Sequence, residues 1–170
     1  MKAAVFHEHG SIDNIRIEDF PDPEIGPGDC LVKVNAVALN GFEPMILMKE
    51  TALPTPLPMI PGGDIAGEVV ELGAEVDPKS WKVGDRVSIY PLVRGEGMTG
   101  ESRLGGCCEL VRIPANYMIP IPDGIGDVEA ASLPIAYGTA LRMMVTRGAV
   151  RKGETVLILG ATGGVGTACV

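Results

Sequence analysis

Apolar and polar residues alternate with a period of two through most of this chain, the pattern of half-buried strands. Residues 2–6 read as an opening strand. Residues 14–20 read as a second, with Ile15, Ile17 and Asp19 on one side and Arg16, Glu18 and Phe20 on the other. Prolines 21, 23 and 27 with Gly26 and Gly28 make a turn-rich link. Residues 29–39 form a longer strand, Leu31, Lys33 and Asn35 alternating with Val32, Val34 and Ala36. Asn40 and Gly41 end it, and residues 42–49 suit a short helix with Pro44 in its first turn.

Prolines 54, 56, 58 and 61 exclude a central strand or helix over residues 53–61, which read as a rigid surface loop. Residues 62–73 return as a strand whose small members Gly63, Ala66 and Gly67 predict a close neighbour. A turn over 81–85 precedes a strand at 86–90. Residues 95–106 read as a mobile polar loop, and two strands follow at 107–113 and 117–121. The pattern then changes. Residues 128–145 read as one long helix with Asp127 as N-cap and Gly148 at its end; Gly138 weakens it and points to close packing.

Residues 155–159 are a β-branched apolar run, read as a buried parallel strand. Gly160, Gly163, Gly164 and Gly166 follow, and a helix starts over 167–170. Strand, glycine turn and helix present backbone N–H groups to a pyrophosphate; the bland alternative is a tight strand–helix connection. The strand is expected to pack poorly, because the 170 residues supply it no neighbouring strands. The division expected is a β-rich domain over 1–124, then a linking helix and the start of an α/β dinucleotide-binding unit over 125–170.

Composition narrows the function classes. A net charge of −8 argues against nucleic acid or anionic membrane as partner. No apolar run approaches the ~20 residues of a membrane span, and the N-terminus has no signal-peptide core. Cysteines 30, 107, 108 and 169 make neither a disulfide framework nor a zinc knuckle, so reduced thiols and a cytoplasmic setting are expected.

Four motifs in order, Pro61-Gly62-Gly63-Asp64-Ile65-Ala66-Gly67, Gly84-Asp85-Arg86-Val87, Gly138-Thr139-Ala140 and Gly160-Ala-Thr-Gly-Gly-Val-Gly166, resemble the medium-chain dehydrogenase/reductase superfamily, most of all its quinone oxidoreductase-like and zinc-type alcohol dehydrogenase branches. The resemblance implies a β-rich GroES-like domain, a partly open barrel with short helices, followed by the truncated start of a Rossmann domain. It implies a cofactor site at Gly160, Gly163, Gly164, Val165 and Gly166. The form of that turn is similar to the one common in NADPH-using quinone reductases; NADH stays open, because the residue that reads the ribose 2′ position falls past Val170.

In zinc-type members a cysteine, a histidine and a second cysteine hold the catalytic zinc. Here those positions fall on Asn40, Gly63 and Ile135, and residues 91–106 lack the four cysteines of the structural zinc. No metal is therefore expected at either site. A zinc held by His7, His9, Cys107 and Cys108 has no support in the spacing. Without zinc, a carbonyl must be polarised by hydrogen-bond donors or by the cofactor. Asn40 is the first candidate for orienting nicotinamide or substrate, against a plain Asn-Gly turn. Thr139, matching a threonine that faces the nicotinamide, is the second, against a helical threonine bonding its own backbone. Tyr137 reads as core, Tyr90 as a weak proton donor at the cleft rim, Asp64 as a turn-stabilising carboxylate, and His7 and His9 as solvated turn residues.

The reading is the N-terminal part of a zinc-independent NAD(P)H oxidoreductase acting on a quinone, enone or other activated carbonyl, inactive as the 170-residue chain alone and a homo-oligomer when full length. The rivals are a zinc-type dehydrogenase relative that has lost its metal and a non-catalytic protein on a GroES-like scaffold.

Overall fold

The structure is a computed structural model that describes residues 1–51 and 54–170. Alternation does in space what it does in sequence. Strands β1 (Lys2–Phe6) and β2 (Ile15–Asp19) form an antiparallel pair, with Val5 opposite Arg16. β3 (Asp29–Ala38), α1 (Phe42–Leu47), β4 (Asp64–Leu72) and β5 (Arg86–Ile89) follow, then the small hairpin of β6 (Leu92–Val93) and β7 (Gly97–Met98), then β8 (Leu110–Pro114) and β9 (Met118–Pro120). Five of these make one antiparallel sheet in the order β8-β3-β4-β5-β9. Its two edge strands do not pair with each other among the described residues, so the sheet stays open and is not a closed barrel.

The core lies on one face of that sheet. Val32, Ile65, Val69, Val87, Ile89, Val111 and Ile113 are buried together, each a strand residue pointing inward at every second position. Burying one such side chain is worth roughly 1.5–3 kcal/mol. Trp81 packs against the cluster and donates from Nε1 to the Ala115 carbonyl at 3.1 Å. The close approach expected at Gly67 is real: a Cβ there would stand 2.1 Å from the Lys33 carbonyl oxygen of β3. β3 reaches this contact through two register shifts, between Leu31 and Val32 and between Val34 and Ala36.

Several expected elements come out differently. The single helix over 128–145 is three pieces: α2 (Asp127–Ala131), α3 (Ala136–Leu141) and a π-helical run over Arg142–Arg147. Pro134 cannot donate into a continuous helix and ends the first piece. Gly138 has nothing within 4 Å of where a Cβ would stand, so close packing is not its role. Asp127 is not the N-cap, a position held by Gly126. Asp127 lies in the first turn, its Oδ1 bonded by Arg86 at 2.6 Å and its Oδ2 by Asn35 at 3.0 Å. That cluster pins α2 across β3 and β5, and Ala130 and Ala131 pack on Ala66.

The loop over 95–106 is pinned by its own contacts. Thr99 is fully buried, and the half-buried Arg103 bonds Glu96 at 3.1 Å and the Arg112 carbonyl at 3.3 Å. Of the expected surface loop 53–61, Leu53 lies outside the described residues. Pro54 and Pro56–Pro58 are exposed, but Met59 and Ile60 are fully buried, because Met59 pairs with Phe6 of β1. Cys107 and Cys108 precede β8, and of the strand expected there Cys108 keeps one antiparallel bridge, to Ala3 of β1. His7 is exposed and bonds Glu18, whereas His9 is half-buried, bonding the Ile46 carbonyl at 2.9 Å and tilting onto Phe6.

The largest departure is at residues 155–159. They form no strand among the described residues, but the poor packing expected of them is what is seen: Leu157 and Leu159 stand 84% and 85% exposed. A parallel strand is buried only between flanking strands, and the described chain offers none. Helix α4 (Gly164–Cys169) does form after the glycine turn and packs on α3.

Candidate functional site

Three chain ends meet beside α1. β3 has just finished at Ala38, β4 is about to start at Asp64, and α3 begins after Ile135. Asp64 joins all three. Its Oδ2 accepts from Asn40 Nδ2 at 3.0 Å and its Oδ1 from the Ile135 backbone N–H at 2.9 Å. Asp64 is 1% exposed. It is a buried strand residue and not the turn carboxylate expected from sequence.

Glu43, on α1, completes the cluster and escaped the sequence reading. It is buried; one oxygen accepts from the Gly63 N–H at 3.1 Å and the other from the Asn40 N–H. Its only sequence signal is a carboxylate beside Phe42 and ahead of Ile46 and Leu47, which pack into the β1 cluster. Burial pushes the Asp64 carboxyl up to about 6. Its bonds from Asn40 and Ile135 hold it down, and repulsion from Glu43 adds to the rise. Burial raises Glu43 as well, against the bonds from Gly63 and Asn40. Cys107, whose Sγ would stand 3.0 Å from a Cβ on Gly62, is pushed up to about 11 by burial and then by Glu43, so it is a thiol and no nucleophile at neutral pH.

The structure therefore brings Asn40, Gly63 and Ile135 together: a Cβ on Gly63 would stand 2.8 Å from Ile135 Cδ1. A carboxamide, a residue with no side chain and an alkyl group do not make a zinc donor set. Among the described residues, no three His, Cys, Asp or Glu side chains cluster to hold a metal.

Thr139 sits one turn beyond Ile135, its N–H bonded to the Ile135 carbonyl. It is exposed, and its hydroxyl makes no bond to a helix carbonyl among the described residues, so the back-bonding role is not what it does here. Tyr137 is 46% exposed and is not core. With Tyr90, Leu133 and Leu141 it lines an apolar cavity of about 750 Å³ that reaches Val170. Tyr90 also stacks on Tyr117.

The glycine turn is built as its spacing requires. Gly160 takes φ +69°, and a Cβ on Gly166 would stand 2.0 Å from the Gly160 carbonyl oxygen, so the turn folds back on the first residues of α4. Gly163 caps α4, and both Gly163 and Gly164 are exposed; Val165 is half-buried. A Cβ on Gly164 would lie 3.7 Å from Ala136 Cβ, which places the turn against the same end of α3 that Asp64 holds. The cradle left free of side chains fits a phosphate.

The profile of the alcohol dehydrogenase GroES-like domain matches residues 26–123. The chain belongs to that family. Among curated relatives, the 2-methylene-furan-3-one reductase of Solanum lycopersicum is 34% identical over 169 residues, 98% of this chain and 42% of the relative. The chloroplastic NADPH-dependent alkenal/one oxidoreductase of Arabidopsis thaliana is 35% identical over the same length and shares. A solved NAD-dependent alcohol dehydrogenase superposes with a TM-score of 0.91 at 30% identity, over 99% of this chain and 53% of its own. The chain thus spans about half the length of its relatives or less, and the medium-chain dehydrogenase/reductase resemblance and the GroES-like, β-rich fold both stand. Among the described residues no helix is long and apolar enough to cross a membrane.

Proposed function

We propose that this chain is the N-terminal part of a zinc-independent, nicotinamide-dependent oxidoreductase that reduces an enone, or a quinone or comparably activated carbonyl. The observation that carries the reading is the Asn40–Gly63–Ile135 convergence, where hydrogen bonds to Asp64 and Glu43 occupy the place a zinc ligand set would need. The two relatives above are named for a 2-methylene-furan-3-one and for an alkenal/one, and the second is named NADPH-dependent. Both names support a small-molecule substrate, and the second supports NADPH as the cofactor, with NADH still open.

The residues divide the work. Gly160, Gly163, Gly164, Val165 and Gly166 would hold the pyrophosphate. The cofactor supplies hydride when bound. Asn40, bonded to Asp64, and Thr139, one turn beyond Ile135, would orient the reacting groups. Residues of the remaining half complete the site, and a homo-oligomer in a cytoplasmic setting is the assembly we propose for the whole protein.

The test is NADPH oxidation by the whole protein with an α,β-unsaturated ketone, before and after exhaustive chelation, alongside metal analysis. Unchanged turnover after chelation is expected, with Asn40→Ala lowering kcat/KM by about 10- to 100-fold. Stoichiometric zinc whose removal abolishes turnover would overturn the reading.

A further inference from the structure

Asn40 is the group the proposed reaction would lean on, yet an amide has two ends of opposite character: a nitrogen that only donates and an oxygen that only accepts. The surroundings decide which end is free. Asp64 Oδ2 lies 3.0 Å from Asn40 Nδ2, and its other oxygen is already taken by the Ile135 N–H. Glu43 takes the backbone N–H of Asn40, and it too feels the Asn40 side-chain amide. Both carboxylates are buried. An ionised carboxylate accepts an N–H and repels a carbonyl oxygen at the same distance. Asn40 Oδ1, by contrast, accepts no hydrogen bond among the described residues, and Asn40 is half-buried, not closed off.

We infer that Asp64, backed by Glu43, is a positioning residue that fixes Asn40 with its amide hydrogens turned inward and its carbonyl oxygen turned toward the ligand. What Asn40 offers is then an acceptor. It suits a ligand group that donates, such as a primary carboxamide or a hydroxyl, and it cannot polarise a substrate carbonyl. This gives a direction to the orienting role expected of Asn40. It depends on the proposed oxidoreductase reading only for what sits opposite Oδ1.

The experiment follows the two side-chain amide hydrogens of Asn40 by NMR in the ¹⁵N-labelled chain, using the exposed side chain of Asn116 as reference. In the unaltered protein at neutral pH, at least one Asn40 hydrogen should exchange with solvent about tenfold or more slowly than those of Asn116. Asp64→Asn then inverts the arrangement. The Ile135 N–H is a fixed backbone donor and selects the one remaining oxygen, so an amide nitrogen faces Asn40, which must turn its own oxygen inward. Its hydrogens should lose that protection while Trp81 fluorescence stays native. Exchange of Asn40 as fast as Asn116 in the unaltered protein would overturn the inference, as would protection that survives in a folded D64N. The first comparison needs no variant, so it stands even where D64N does not fold. Neither comparison needs cofactor or turnover, so failure here and failure of the oxidoreductase assay are read separately.

Discussion

Replacing Asp64 by Asn should change how stability depends on pH. Burial, offset in part by the bonds from Asn40 and Ile135, leaves the folded carboxyl at about 6, against about 3.9 for an unfolded aspartate. The native state therefore holds a proton that the unfolded chain has already lost. Below about pH 4 both forms are protonated and Asp64 carries no penalty. As pH rises, stability falls between the two values, and above about 6 it levels off. A gap of roughly two units at 1.36 kcal/mol each makes the fall ~3 kcal/mol. Asp64→Asn has no charge to bury, so this component vanishes. The measurement is urea unfolding of both proteins at about pH 4 and about pH 7.5, followed by Trp81, which packs against the main core. The D64N-minus-wild-type difference should move by ~2.4 kcal/mol in favour of D64N between the two pH values, since about half of the unfolded aspartate is already ionised at pH 4. Taking that double difference cancels packing changes that do not depend on pH. Release of Glu43 from repulsion by Asp64 acts in the same direction. A shift below about 1 kcal/mol, or one that favours the wild type as pH rises, would refute the picture of a carboxylate ionised against its surroundings.

Three further substitutions test the frame around the site. Gly67→Ala drives a Cβ to 2.1 Å from the Lys33 carbonyl oxygen and should cost about 3 kcal/mol in urea unfolding, because β3 backbone and not a flexible side chain must yield. Arg86→Ala removes bonds to Asp127 and to the Ile125 carbonyl and should cost ~2 kcal/mol, with Asp127→Asn losing less because its one oxygen can stay opposite Arg86 while Asn35 turns its own oxygen to accept from the new amide. Leu157→Lys with Leu159→Lys should leave the midpoint unchanged to within about 0.5 kcal/mol and lower self-association in sedimentation, since both side chains face solvent.

The strands were legible because alternation is local. Lys2–Phe6 and Arg86–Ile89 emerge within a residue of their expected bounds, and the small residues at 66 and 67 forecast the β3 approach. Pro134 was equally visible, and its penalty should have outweighed the helical period across residues 128–145. Asp64 and Glu43 were not legible as a pair. Their donors arrive from Asn40, Gly63 and Ile135, as many as 71 positions away in sequence, and only the fold decides whether a carboxylate meets water or backbone N–H groups. At residues 155–159 the poor packing was legible and the lost strand was not. Their composition states what they would do inside a parallel sheet, but burial belongs to the neighbours and not to the segment.

The Asp64–Glu43 cluster also bears on why the site keeps its shape. A tetrahedral metal links chain segments by binding side chains from each, and its affinity becomes folding energy. Here two carboxylates link chain segments: Asp64 ties the Asn40 side-chain amide, just past β3, to the backbone N–H at the start of α3, and Glu43 ties α1 to the backbone N–H groups of Asn40 and Gly63. Gly63 is part of the same solution. A Cβ there would meet Ile135 Cδ1 at 2.8 Å, the Thr99 carbonyl at 3.0 Å and the Phe42 ring at 3.2 Å, so the room a metal-binding side chain would occupy is already filled by three other elements. Restoring ligands at Asn40, Gly63 and Ile135 one at a time would thus break hydrogen bonds or packing before it gained a metal.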